Sequence, residues 1–328
     1  MDHASQAGTL DSEAAVAALT RPLSFLEKLR VAAAAGIAVL LMTSIGWMVA
    51  RPVDPEMAVT FVYGGRHVLA VWPSVLVLTL VSALVGTAIA GRRLPEAGLF
   101  AAAVGLVGLA LRGSSMQSVL GYQATADLAG RRAVMAAMAF DCLLWASIAV
   151  ATWVAVHLAW HWLWQEARTP EDDEPRPRAA APAGKKISLR SGWPALVVTT
   201  VVGLFVIWTT IARTPVATIA RGQVIASVAA GMYLGAMAGR YFTGVSKAYW
   251  YALAPLAAGL TAYLLGYLQA DLGWAKGSLA SYALLSTTPP HALVRPLPVE
   301  YIFVGLAGAM FGFWSGERME HVAEREMS

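Results

Sequence analysis

One polar stretch divides this chain. From Val31 to Trp164 the sequence is almost continuously apolar, and it is apolar again after Pro194; between them Gln165–Trp193 reads QEARTPEDDEPRPRAAAPAGKKISLRSGW. A segment with four consecutive acids, Glu171 to Glu174, interleaved prolines and scattered basic residues buries too little apolar surface to offset the entropy of ordering it, so it is a solvated linker. Two apolar halves joined in this way leave few architectures open. Soluble domains carry about 25% charged residues, whereas here 13% are charged, 58% are hydrophobic and the mean hydropathy is +0.59. The solvent for most of this surface is lipid.

A helical span needs about 20 apolar residues. Eight candidate stretches meet or approach that length: 31–50, 73–90, 97–111, 133–164, 194–212, 223–239, 249–268 and 300–315. The expected fold is an all-α polytopic membrane protein of two four-helix halves, 31–164 and 194–328, with a polar arm over 1–30 and the linker over 165–193. PLSFLEKLR, ending at Arg30, suggests a short interfacial helix. Acids at Asp2, Asp11 and Glu13 precede any apolar run, which argues against a cleaved leader. No lipidation motif is visible.

Lysines and arginines set the expected orientation. With the N-terminus inside, fifteen fall in inner segments and nine in outer ones. The positive-inside rule therefore places both termini and the linker in the cytoplasm; the expected location is the plasma (cell inner) membrane. The outer loops are the longer ones, apart from the linker. Residues 57–72 carry two β-prone runs about Gly64-Gly65, a hairpin signal.

Three short matches recur in the same order in both halves: Ala50-Arg51-Pro52 with Ala212-Arg213-Thr-Pro215, Ala90-Gly91-Arg92 with Ala238-Gly239-Arg240, and Arg112-Gly113-Ser with Lys276-Gly277-Ser278. Together they suggest an internal duplication. Four spans precede the second copy, so the repeats would be parallel.

Glycines recur at every fourth position in two spans: Gly231, Gly235 and Gly239, then Gly308, Gly312 and Gly316. Such a glycine zipper gives a helix a flat face that a neighbouring backbone approaches closely. Internal packing is the plainer use; contact with another subunit is the sharper one. Asp141 is the acid placed well inside a span, and an intramembrane acid is a functional candidate by default. The expected arrangement pairs it with Arg131 or Arg132 near the outer interface, with no second acid beside it.

The remaining chemistry is sparse. The single cysteine, Cys142, excludes an internal disulfide and any CxxC metal site. His157 and His161 share a helix face, but two imidazoles need further ligands to hold a metal. Ser115, Ser118, Ser278 and Ser281 lie in outer loops, with His67 and His291 as the available bases. No nucleophile elbow, phosphate loop or zinc-protease signature is present. No cofactor, metal or nucleic-acid partner is expected. The reading these features give is a non-enzymatic membrane subunit or scaffold, partnered by lipid and by other membrane subunits or copies of itself. The alternatives are a transporter or channel for a small solute, with the path between the halves and Pro255 kinking the seventh span, and an enzyme acting on a lipid-linked substrate.

Overall fold

The computed structural model describes residues 24–65, 67–91, 94, 96–123, 128–165, 192–211, 217–270 and 291–327. The interior of the linker, most of the N-terminal arm, Ser278 and Ser281 lie outside these residues.

Among the described residues every regular element is helical and none is a strand. Six helices are long and apolar enough to cross a membrane, and a seventh crossing arises if one bent pair forms a single span. The chain is accordingly a multi-pass integral membrane protein. Its helices are α1 (Phe25–Ala50), α2 (Val68–Ala90), α3 (Ala97–Arg112), α4 (Met116–Gln123), α5 (Leu128–Gln165), α6 (Trp193–Thr210), α7 (Ala217–Thr243), α8 (Ala248–Leu268) and α9 (Gly305–Met327). A π turn, Glu300–Val304, leads into α9, and a second π turn, Met42–Gly46, interrupts α1.

Local sequence accounts for the helix boundaries. Ser24 caps α1 in a reciprocal box: its hydroxyl accepts the Glu27 amide, and its own amide donates to the Glu27 carboxylate at 2.7 Å. That box satisfies two orphan donors at once. Residues 25–30 therefore run straight into the first span instead of forming the separate interfacial helix expected from PLSFLEKLR. Pro194 sits in the first turn of α6, where its missing N–H costs nothing. Gly91 ends α2 at φ +81°, a conformation that disfavours side chains with a Cβ. The third span is short because it breaks after Arg112; α4 then leaves at 51° to α3.

Packing follows residue size. In α3 the residues Ala101, Ala102, Ala103, Leu106, Leu109 and Ala110 are all buried, and α1 and α2 lie against it. In the second half α7 lies between α6 and α9. The halves meet where α5 packs on α8 and where α3 packs on the π turn ahead of α9. The outward faces carry large exposed apolar side chains, among them Leu40, Leu69, Phe140, Phe205 and Leu264, as a lipid-facing surface requires.

The glycine stripes are used inside the molecule. A Cβ on Gly231 would lie 2.8 Å from the Gly203 carbonyl oxygen, and one on Gly235 would lie 3.0 Å from the Gly203 amide nitrogen, so this stripe faces α6. Gly239 faces Thr199 of the same helix. Gly308, Gly312 and Gly316 face Ala229, Tyr233 and Arg240 of α7.

The segment between α1 and α2 is not a hairpin. Met57, Ala58, Val59, Thr60 and Phe61 are all buried, and the chain dips into the end of the bundle as a plug. The amides of Phe61 and Val62 are taken by a side chain of α5, so they cannot form a ladder. Gly65, at φ +70°, turns the chain back, and the Val53 amide closes the loop on the Gly64 carbonyl at 3.0 Å.

Candidate functional site

Asp141 anchors that plug. Its carboxylate is 0% exposed. One oxygen accepts the amides of Phe61 at 2.7 Å and Val62 at 3.2 Å, and the other accepts Trp145 Nε1 at 3.1 Å. The Phe61 ring lies 4.2 Å from the Trp145 ring, which closes the seal. Arg131 and Arg132 do not join this group. They precede Asp141 by ten and nine residues, roughly 13–15 Å along a helix, and the Arg132 guanidinium lies 5.5 Å from the Tyr267 ring. The loop descends to the acid, so the acid has no need of a cation from its own helix.

A second buried acid lies at the junction of the halves. Glu300, 1% exposed, opens the π turn ahead of α9; its Oε2 accepts the Leu297 amide at 2.8 Å. Its Oε1 stands 3.9 Å from Nε of Arg221, whose side chain is 15% exposed. Neither of those two atoms has a hydrogen-bond partner among the described residues. The pair is close enough for charge attraction but too long for a hydrogen bond. Arg221 also donates to the Ala110 carbonyl at the end of α3.

Sequence reasoning missed this pair for a definite reason. Arg221 reads as a loop cation ahead of a span starting at 223, but α7 starts at Ala217 and carries it inward. Glu300 opens the span expected over 300–315, directly after Pro296 and Pro298, and so reads as a charge at a span's edge. Here Leu297, Val299 and Tyr301 are fully buried, with the Tyr301 hydroxyl on the Leu293 carbonyl and that of Tyr263 on the Pro296 carbonyl. An acid flanked by apolar residues on both sides was the available signal.

Arg221 reaches the wall of a cleft of about 420 Å³, lined also by Glu56, Arg112, Ser114, Ser115 and Ser118. Arg112 stacks 5.0 Å above the Trp47 ring and donates to the Thr43 carbonyl, in the π turn of α1. Ser118 Oγ lies within hydrogen-bond reach of Ser114 Oγ and of the Ser115 carbonyl. Glu56 accepts the Tyr122 hydroxyl at 3.1 Å. The serines have no histidine in this cleft: His67 lines a separate pocket with Met48, Gly65 and Ser74, and His291 Nδ1 accepts the Leu293 amide.

The other end of α3 opens on a smaller cleft of about 240 Å³, lined by Glu96, Leu99, Trp153, His157, Lys247 and Tyr249. His157 stacks on Trp153, ring centroids 5.7 Å apart, and Lys247 Nζ lies 5.9 Å from the Tyr249 ring. His161 is exposed on the next turn. Among the described residues no three metal-ligating side chains converge.

Glu96 sits between two spans, just ahead of α3. Burial, and then the negative charge of Glu317, push its carboxyl above the ordinary glutamate value of 4.5. A raised folded-state value means that ionisation disfavours the fold. The contribution of Glu96 is thus most favourable below 4.5 and is lost as pH rises through the raised value. Glu96→Gln is expected to raise the melting temperature at neutral pH and leave it unchanged in acid. Melting curves in detergent across that range check this; equal shifts at every pH would refute it.

Comparisons with protein families, with curated proteins and with solved structures give no match for this chain.

Proposed function

We propose that this protein carries a small solute across the membrane, along the junction of its halves between the clefts at the two ends of α3. The observation that carries the reading is the loose Arg221–Glu300 pair, whose arginine reaches the wall of the larger cleft while its glutamate stays buried behind it. A buried ion pair is expensive to desolvate unless its hydrogen bonds are complete. This one leaves Nε and Oε1 without partners. Arg221 is therefore a group that an arriving ligand can draw away from Glu300, which is a two-state element in the sense transport needs.

The same reading includes eight crossings, four in each half, with the termini and linker cytoplasmic and the larger cleft outside. It also includes a parallel duplication, supported by three helix pairings that recur: α1 with α2 and α6 with α7, α1 with α3 and α6 with α8, α2 with α5 and α7 with α9. The halves also differ, since α2 packs along α3 whereas α7 barely meets α8. The scaffold reading loses its main support, because both glycine stripes face helices of this chain. The enzyme reading lacks, among the described residues, the histidine it expected beside Ser115 and Ser118.

Accessibility at the two clefts tests transport without knowing the solute. Cys142 is fully buried and serves as a silent background. Ser115→Cys reports the larger cleft and Ser246→Cys the smaller. In sealed vesicles of each orientation, which present one cleft and then the other to an impermeant maleimide, adding Glu300→Gln is expected to change the two labelling rates in opposite directions, each by roughly threefold or more. Rates that stay unchanged, or that move together, would sink the reading.

A further inference from the structure

We propose that the larger cleft binds phosphate in a protonated form, held by Arg112 and Arg221 and distinguished from sulfate by Glu56. The proposal names a substrate class for the transport reading and rests on it for the purpose of the binding.

Two guanidinium groups from different halves line one cleft. Each is anchored from behind. Arg112 is fixed by the Trp47 ring beneath it and by the Thr43 carbonyl. Arg221 is fixed by the Ala110 carbonyl and stands beside Glu300. A guanidinium has five N–H donors in a rigid fork, and these anchors leave several of them for a ligand. Arg112, held at two points, loses little further freedom on binding, while Arg221 keeps its tether to the Ala110 carbonyl as its Nε turns from Glu300 to the ligand; a planar fork suits the oxygens of a tetrahedral anion. Ser114, Ser115 and Ser118 add hydroxyls. α4 starts at Met116, so its first two amides lie at the same end, while the Ser118 amide is already turned onto the Ser115 carbonyl.

Glu56 gives the site its selectivity. A carboxylate only accepts hydrogen bonds, so beside a fully deprotonated anion it repels. At neutral pH sulfate is such an anion. Phosphate at that pH still carries one or two P–O–H groups, and each can donate to the carboxylate. The Tyr122 hydroxyl occupies Glu56 Oε2, leaving the carboxylate further acceptor capacity. Two cations and one acid are thus a mismatch for sulfate and a match for a monoanion or dianion that keeps a proton. The phosphodiester of a common phospholipid has no such proton, which favours free phosphate or a monoester over a lipid headgroup.

The test uses the purified full chain in detergent, with inorganic phosphate as the probe and sulfate as the competitor in equilibrium dialysis. Saturable phosphate binding that sulfate does not displace is expected. Arg112→Gln, at an exposed position that does not threaten the fold, should weaken binding about tenfold or more, and Arg221→Gln should do the same if it folds. Glu56→Gln should let sulfate compete. In parallel, the protein is incubated with phosphatidylglycerol micelles and its retained lipid weighed by native mass spectrometry. Absence of saturable phosphate binding overturns the proposal. So does equal competition by sulfate in the native chain, or Arg112-dependent retention of the phosphodiester lipid without phosphate binding. Phosphate binding without reciprocal labelling of the two clefts would leave this proposal standing and remove transport; the converse result would do the opposite.

Discussion

Asp141→Ala is expected to cost at least about 3 kcal/mol of stability and to release the plug between α1 and α2. The substitution removes one acceptor group from three donors, the buried Phe61 amide and Trp145 Nε1 and the half-buried Val62 amide. Each buried donor left without a partner costs about 1–3 kcal/mol. Water cannot take over easily, because Asp141 is fully buried and Phe61 is sealed against Trp145. Asp141→Asn is a graded control. Its amide oxygen still accepts from Phe61 and Val62, but its NH2 group faces the Trp145 N–H donor to donor, so a smaller loss is expected. Reversible unfolding in mixed micelles measures both, and limited proteolysis at residues 51–67 reports the plug directly. A loss below about 1 kcal/mol for Asp141→Ala, with the loop still protected, would show that the bonds to Asp141 are incidental.

The partners of Asp141 mark the limit of what sequence conveys here. The residue itself was legible, because an acid inside an apolar run is costly and therefore has a reason. Its partners were not, since Phe61 is 80 residues away and contributes only a backbone amide, which any residue has. The apolar runs gave the places of the long helices, since a lipid-facing helix needs little beyond length and hydropathy, but α7 and α9 run past the expected 223–239 and 300–315, and α4 was not read. Gly231 and Gly308 and the glycines that follow them were legible as packing faces, though their partners, α6 and α7, were not. The π turns and the bend at Arg112 could not be read at all. They arise where tertiary contacts reward a local departure from α geometry, as when Arg112 takes the Thr43 carbonyl. Arg221 and Glu300 each lay at a helix boundary, and a shift of a few residues in that boundary decides between an interfacial charge and a buried one.

Gly312→Ala is the second substitution with a large expected effect, and it separates the two uses of a glycine stripe. A methyl group there would overlap the Tyr233 carbonyl oxygen and lie 2.9 Å from its carbon and 3.0 Å from its Cα. All three are backbone atoms, so no rotamer change relieves the contact; α9 and α7 must part along their shared face. Overpacking of this kind costs about 1–3 kcal/mol and more where the backbone itself must move, so a loss of about 3 kcal/mol is expected. Gly36→Ala is the matched control. That glycine has no atom within 4 Å of an added Cβ, and its helix gains propensity, so an unchanged or slightly raised melting temperature is expected. Both measurements are made on the isolated chain in detergent. If the stripe served a partner protein, Gly312→Ala would leave the lone chain as stable as Gly36→Ala does, and only an assembly would suffer. A large loss in the lone chain means that the stripe is consumed in holding α9 on α7, and with it the π turn that presents Glu300 to Arg221.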